Sequence, residues 1–314
     1  MIKTLKQIFN SLKKFYKKSS IWTKIVILII ILFFLAKVAN SNTPRLEGFS
    51  QNRKFVVKNN NDLYDKFYCH LYDKLLYDSK RNDYEVTKIN KLAKINKNSR
   101  ILDLGSGKGH HVKHYTFEGV NIEGIDKSKD MIESSQKAYP KCNFKHGSVL
   151  NGMNYQSDEF SHALCLFFTV YYIKNKRKFF ENVYKWLQPG GYFVLHLVNR
   201  DLFDPITPAS DPLIMVSPQK YAKKRITNSQ VRFQDFMYKA KFDLYKNKNI
   251  AKFNETFTDD KTNHVRKNEH TLYMESQKDI LSLAKKIGFI LESSVHMVDC
   301  QHEYQYLYFL KKPN

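Results

Sequence analysis

The chain has 314 residues, 42% of them apolar and 26% charged, which are globular values and exclude a disordered, collagenous or purely coiled-coil protein. Its 52 basic against 30 acidic residues give a net charge of +22, a balance that favours lipid headgroups, nucleic acid or acidic substrates as partners. Cys69, Cys142, Cys165 and Cys300 lie far apart with no CxxC spacing, so neither a structural zinc nor a disulfide framework is expected.

Residues 1–20 form a basic segment in which Lys13, Lys14, Lys17 and Lys18 interleave with Ile8, Phe9, Leu12, Phe15 and Tyr16. That pattern reads as an amphipathic helix on anionic lipid, or as a solvated tail. Residues 25–36 are twelve apolar residues without a break, extended by Ile21, Trp22, Val38 and Ala39. With Lys24 and Lys37 snorkelling, 21–39 reads as a single retained transmembrane helix, roughly 28 Å long. A signal peptide cleaved near Ala39-Asn40-Ser41 and a buried helix are the competing readings. Residues 40–61, rich in Asn and Ser with Pro44 and Gly48, read as a linker.

From 62 to 314 the pattern is that of one domain. Helical spacing runs from Asp62 to about Lys94, and the Tyr64, Tyr68, Tyr72 row on it reads as core. Strands follow at 100–104, 120–125, 143–146, 163–170 and 192–198, alternating with helices near 110–118, 129–139 and 177–187. Such alternation predicts an α/β, doubly wound, mostly parallel sheet covered on both faces. An insert at about 200–275 shifts to a period of two after residue 231, which predicts three antiparallel strands, a β-meander, over the acceptor side of the site. A helix over Gln277–Ile287, ended by Gly288, and a C-terminal antiparallel hairpin complete the chain.

The chemistry lies in Asp103-x-Gly105-Ser106-Gly107-x-Gly109, set between a strand and a helix. Glycines admit close approach of backbone to a ligand, and a helix N-terminus offers free N–H groups. Asp126 ends the next strand, 21 residues after Gly105, where a carboxylate can accept both hydroxyls of a ribose. A nicotinamide fingerprint would need its third glycine at His110. With Ile122–Met131, Gly147-Ser148, Trp186–Tyr192 and Gly288-Phe289, these residues resemble the class I S-adenosylmethionine-dependent methyltransferases, close to the type 11 group, over roughly 60–311.

The resemblance implies a seven-stranded sheet of order 3-2-1-4-5-7-6 and S-adenosyl-L-methionine as cofactor. It implies that Asp103, Gly105, Ser106, Gly107 and Gly109 line the methionine and ribose, that Asp126 holds the ribose hydroxyls, and that Met131 packs on adenine. Ser148 and Ser161 stand where many relatives carry acids. Methyl transfer needs positioning more than a fixed catalytic group. His196, Tyr171, Tyr172 and His270 are the candidates for acceptor contact, and His110, His111 and His114 are read as helix residues, with no metal expected. The acceptor is expected to be a small molecule or a lipid. Nucleic acid has only the basic balance behind it, since no Asp-Pro-Pro-Tyr-type tetrad and no Pro-Cys follows strand 4. A non-catalytic scaffold of the same fold and a protein or RNA methyltransferase remain alternatives. Six lysines before the apolar core against four basic residues after it lean the domain away from the cytosol, whereas the cofactor and the cysteines favour the cytosolic side, which is the expectation carried forward.

Overall fold

The structure, a computed structural model, describes residues 16–41, 54–60, 62–205 and 222–314, with the side chains of 34–41 left aside. The chain divides into two compact units, Met1–Glu47 and Gly48–Asn314.

In the first unit, Ser20 starts helix α1 (Ile21–Ser41), its Oγ accepting the Thr23 N–H at 3.3 Å. Trp22 and Phe33 are exposed. Among the described residues no helix is long and apolar enough to cross a membrane, so the span expected over 21–39 is not supported. Most of the basic segment and the linker up to residue 53 lies outside the described residues.

The second unit holds two sheets. The larger contains β2 (Arg100–Leu104), β3 (Asn121–Asp126), β4 (Asn143–His146), β5 (Phe160–Cys165), β6 (Leu187–Val198), β11 (Ile290–His296) and β12 (Gln305–Lys311). Its spatial order is β11-β12-β6-β5-β2-β3-β4; counted within this sheet alone, that is 3-2-1-4-5-7-6 from the β4 edge. Only β12 runs antiparallel to its neighbours. Residues 101–104 and 192–198 are buried without a break, as strands covered on both faces must be. Helices α2 (Lys66–Leu76), α3 (Ser79–Leu92), α4 (His110–Phe117), α5 (Lys129–Ala138), α6 (Lys176–Trp186) and α7 (Gln277–Ile287) cover it. Their starts are fixed by side-chain caps: Asp65, Asp78, Ser128, Asn175 and Ser276 each accept the N–H three residues on. The single helical stretch expected over 62–94 is therefore two helices, because Asp78 caps a new one.

The smaller sheet has the order β1-β10-β9-β8-β7, built from β1 (Phe55–Asn59), β7 (Asn228–Arg232), β8 (Phe236–Tyr245), β9 (Ile250–Asp259) and β10 (Val265–Tyr273). Strands β8, β9 and β10 are the expected meander, and β7 adds a fourth antiparallel strand. Residues 55–59, expected in the linker, instead run parallel to β10. The Asn60 side chain fixes the join: its Nδ2 donates to the Thr271 carbonyl at 2.8 Å and its Oδ1 accepts the Thr271 N–H at 2.6 Å. Residues 206–221 of the insert lie outside the described residues.

Candidate functional site

A cavity of about 790 Å³ opens at the carboxyl ends of β2 and β3, between the glycine loop, α2 and the smaller sheet. Gly105, Gly107, Asp126, Met131, Ser148, Tyr172 and His270 line it, so these expected site residues come together. A wider groove of about 1370 Å³ beside edge strand β4 shares none of these residues.

The loop after β2 turns where side chains would not fit. Gly105 sits at φ +75°, and a Cβ there would stand 2.5 Å from the Thr169 methyl. Gly107, at φ +52°, faces the cavity with nothing nearer a Cβ position than the Tyr72 hydroxyl at 3.8 Å. Asp126 organises this turn. Its two oxygens accept the N–H of Gly107 at 3.0 Å and of Ser128 at 2.8 Å, and burial pushes its carboxyl above the usual range. One lone pair on each oxygen remains for a ligand. Ser148 lines the wall, its Oγ accepting the Leu150 N–H at 3.2 Å.

Asp103, Ser106 and Gly109 do not line the cavity. Gly109 caps α4. Ser106 turns a buried, unpartnered hydroxyl towards Gly124. Asp103 is buried beneath the loop, and burial pushes its carboxyl up to about 6 although His111 opposes the shift. His111 Nε2 lies 3.1 Å from Glu85, and His110 Nε2 lies 2.8 Å from Asp73.

Of the acceptor candidates, two are structural. Tyr171 is fully buried, its hydroxyl accepting the Val198 N–H at 2.8 Å. His196 is held between the Phe167 carbonyl and Gln305 Oε1, and burial pulls it down to about 4, so it stays neutral at pH 7. Neither lines the cavity: His196 on β6 and Tyr171 in the turn after β5 are both buried in the core.

Tyr172 and His270 do reach it, and they belong to a connected polar chain. The Tyr172 hydroxyl lies 2.6 Å from His270 Nδ1, and His270 Nε2 lies 2.7 Å from Glu255 Oε2. Glu255 is 0% exposed and also accepts from Tyr238 at 2.8 Å, Tyr68 at 3.1 Å and Asn268 at 3.2 Å. Burial alone would push its carboxyl up; the His270 ring, Tyr238 and Asn268 outweigh burial and hold it below the usual glutamate value. The Tyr64 ring meets the Tyr172 ring edge-on at 5.9 Å, and burial pushes both phenols up. The tyrosine row of α2 is thus cavity wall as well as core: Tyr64, Tyr68 and Tyr72 all line it. Their hydroxyl tips were the available signal, since a row serving only as core needs Leu or Phe. Glu255 carried no signal, being one acid among alternating strand residues.

Residues 77–294 match the family described as a methyltransferase domain, more than half of the chain. The chain belongs to this methyltransferase family. It is an S-adenosylmethionine-dependent methyltransferase, and S-adenosyl-L-methionine is its cofactor. Over 100 residues the methyltransferase is 28% identical to the dTDP-3-amino-3,4,6-trideoxy-alpha-D-glucopyranose N,N-dimethyltransferase of Streptomyces venezuelae; the match covers 31% of this chain and 41% of that relative, less than half its length. An S-adenosylmethionine-dependent methyltransferase of Clostridium acetobutylicum superposes with a TM-score of 0.58 at 16% identity, covering 79% of this chain and 98% of the other. The sugar N-methyltransferase KedS8 of Streptoalloteichus superposes at 0.55 with 14% identity, covering 79% and 93%. These two likenesses show the fold. The cavity fits the cofactor: Gly107 leaves its wall bare of side chain, and Asp126 offers free lone pairs beside it.

Proposed function

We propose that this methyltransferase methylates an amine of a small-molecule acceptor of the amino-sugar type. The observation that carries the reading is a single cavity with two unlike ends. One end is the glycine loop with Asp126, Met131 and Ser148; the other is the tyrosine wall with His270 and Lys252. The named relatives that act on sugar amines support the acceptor class.

At the first end Asp126 would take the ribose hydroxyls, Met131 would pack on adenine, and the Gly105–Gly107 backbone would lie along the ligand. When bound, the cofactor supplies a methyl group on positive sulfur: the S–CH₃ bond breaks, the N–CH₃ bond forms, and the broken bond's electron pair stays on sulfur. The tyrosine rings at the second end exclude water and fix the nitrogen in line, which is most of what such a displacement needs. Incubating the full chain with methyl-labelled cofactor and the amino-sugar nucleotide of the Streptomyces relative tests the reading. Label on the sugar nitrogen is expected; label on a hydroxyl, or none, overturns it.

Lipid contact by the exposed apolar side chains of α1, with the domain on the cytosolic side, is part of the proposal. Release of the full chain by carbonate washing would remove lipid from its partners, and protection of the domain from protease in sealed vesicles would reverse the side.

A further inference from the structure

We infer that Glu255, His270 and Tyr172 form a proton relay, with Tyr172 as its mouth, that takes the proton from an ammonium acceptor before methyl transfer. The inference rests on the amine reading above.

The direction of the relay follows from its partners. An ionised Glu255 only accepts, so His270 Nε2 carries the proton towards it at 2.7 Å. Neutral His270 then has a lone pair on Nδ1, and the Tyr172 hydroxyl donates to it at 2.6 Å. Tyr172 itself lines the cavity, so its oxygen is the acceptor the chain offers there. A carboxylate with no exposure and four donors is expensive to build into a sheet. Its effect is to hold one imidazole in one tautomer against a cavity-lining phenol.

An acceptor arriving as an ammonium has no lone pair to attack with. Its N–H bond breaks, and the bonding pair stays on nitrogen. The proton goes to the Tyr172 oxygen as the Tyr172 proton passes to His270 Nδ1. His270 becomes an imidazolium beside the Glu255 carboxylate, and the nitrogen lone pair is free to take the methyl group. After product leaves, the Tyr172 hydroxyl returns the proton to water.

The titratable groups facing His270 are Glu255 from β9, Tyr172 from the turn after β5, and Tyr68 from α2. Tyr238 from β8 reaches the same carboxylate, and Arg266 on β10 is turned away to Asp65 at 2.9 Å.

Two measurements on the full chain test the relay. In Tyr172→Phe, kcat with the amino-sugar nucleotide should fall by about a hundredfold at pH 7, the scale of general-base catalysis. The calorimetric Kd for S-adenosylhomocysteine should stay within about twofold, since the aromatic ring is kept and only its hydroxyl is lost. The kcat deficit should shrink as pH rises towards the free-base form of the acceptor. A deficit equal at every pH, or one matched by lost cofactor affinity, would make the chain merely structural and overturn the inference. Nitrogen-15 histidine spectra read the relay without any acceptor. His270 should carry its proton on Nε2, and Glu255→Gln should release that preference; a proton on Nδ1 in the wild-type chain overturns the relay. Failure of wild-type turnover alone would instead count against the amine reading.

Discussion

Asp126 does two things with one carboxylate. It fixes the glycine loop through the Gly107 N–H and leaves a lone pair on each oxygen open to a ligand in the cavity. Replacing it by alanine removes both, so Asp126→Ala should weaken S-adenosylhomocysteine binding by about 1.5–3 kcal/mol in calorimetry, the worth of charge-assisted hydrogen bonds. Asp103 behaves differently. Its carboxyl is pushed up to about 6 from an ordinary 3.8. A raised carboxylate is a cost in the ionised form: the native state keeps its proton up to about pH 6, whereas the unfolded chain releases it near pH 4. Stability should therefore fall as pH rises from about 4 to 6 and stay low above. Asp103→Asn, which never ionises, should stabilise by about 2–3 kcal/mol at pH 8 and by little at pH 4, as read by urea unfolding at the two pH values. The motif residues Gly105, Gly107 and Asp126 were legible because each answers a local demand, a turn or a strand end, visible in the spacing. Tyr172 was legible only as a candidate. Its value depends on His270, 98 positions away, and no local pattern records that distance.

At the scale of elements, the Gly288 end of the last helix was readable, the Asp78 cap that starts a new helix inside 62–94 was not, and the small sheet was readable only in part. Strands β8 to β10 announce themselves by alternation, because one face is buried on the core and the other is not. β1 does not. Phe55-Val-Val-Lys-Asn59 is five residues long inside an Asn-rich stretch, and among the described strands its only partner is β10. A short edge strand has no local signature beyond its β-branched pair. Its attachment is instead concentrated in Asn60, whose two hydrogen bonds to Thr271 are 2.6 and 2.8 Å. Asn60→Ala should lower stability by about 1–2 kcal/mol and, more tellingly, speed amide hydrogen exchange along residues 265–273 while leaving 187–198 unchanged.

For the molecule as a whole, the cavity draws its walls from both sheets, so its ligand must couple them. Cofactor product at a hundred times its Kd should add about 2.7 kcal/mol to the unfolding free energy. The protection from exchange should extend beyond the glycine loop to residues 250–273, because Lys252, Phe253 and residues 269–273 line the same space. Protection confined to 100–131 would mean that the small sheet and the large one respond independently. The fold class was readable at this scale because alternation of strand and helix leaves few solutions. Which side chains the two sheets present to one another was not, since that depends on packing between segments as distant as Tyr68 and Glu255.

The pairing of β1 with β10 also sets an order of events during synthesis. Phe55 pairs with Val265, 265 − 55 = 210 positions later in the chain. A ribosome adding 5–20 residues per second leaves the first strand waiting roughly 10–40 s for its partner. Throughout that interval its hydrogen-bonding edge is open, with Phe55 and Val57 bare on it, and the cavity roof that Asn60 fastens cannot yet exist. The nascent enzyme is thus unable to close on its ligand until roughly the last sixth of translation, and until then the first strand waits with its edge unpaired.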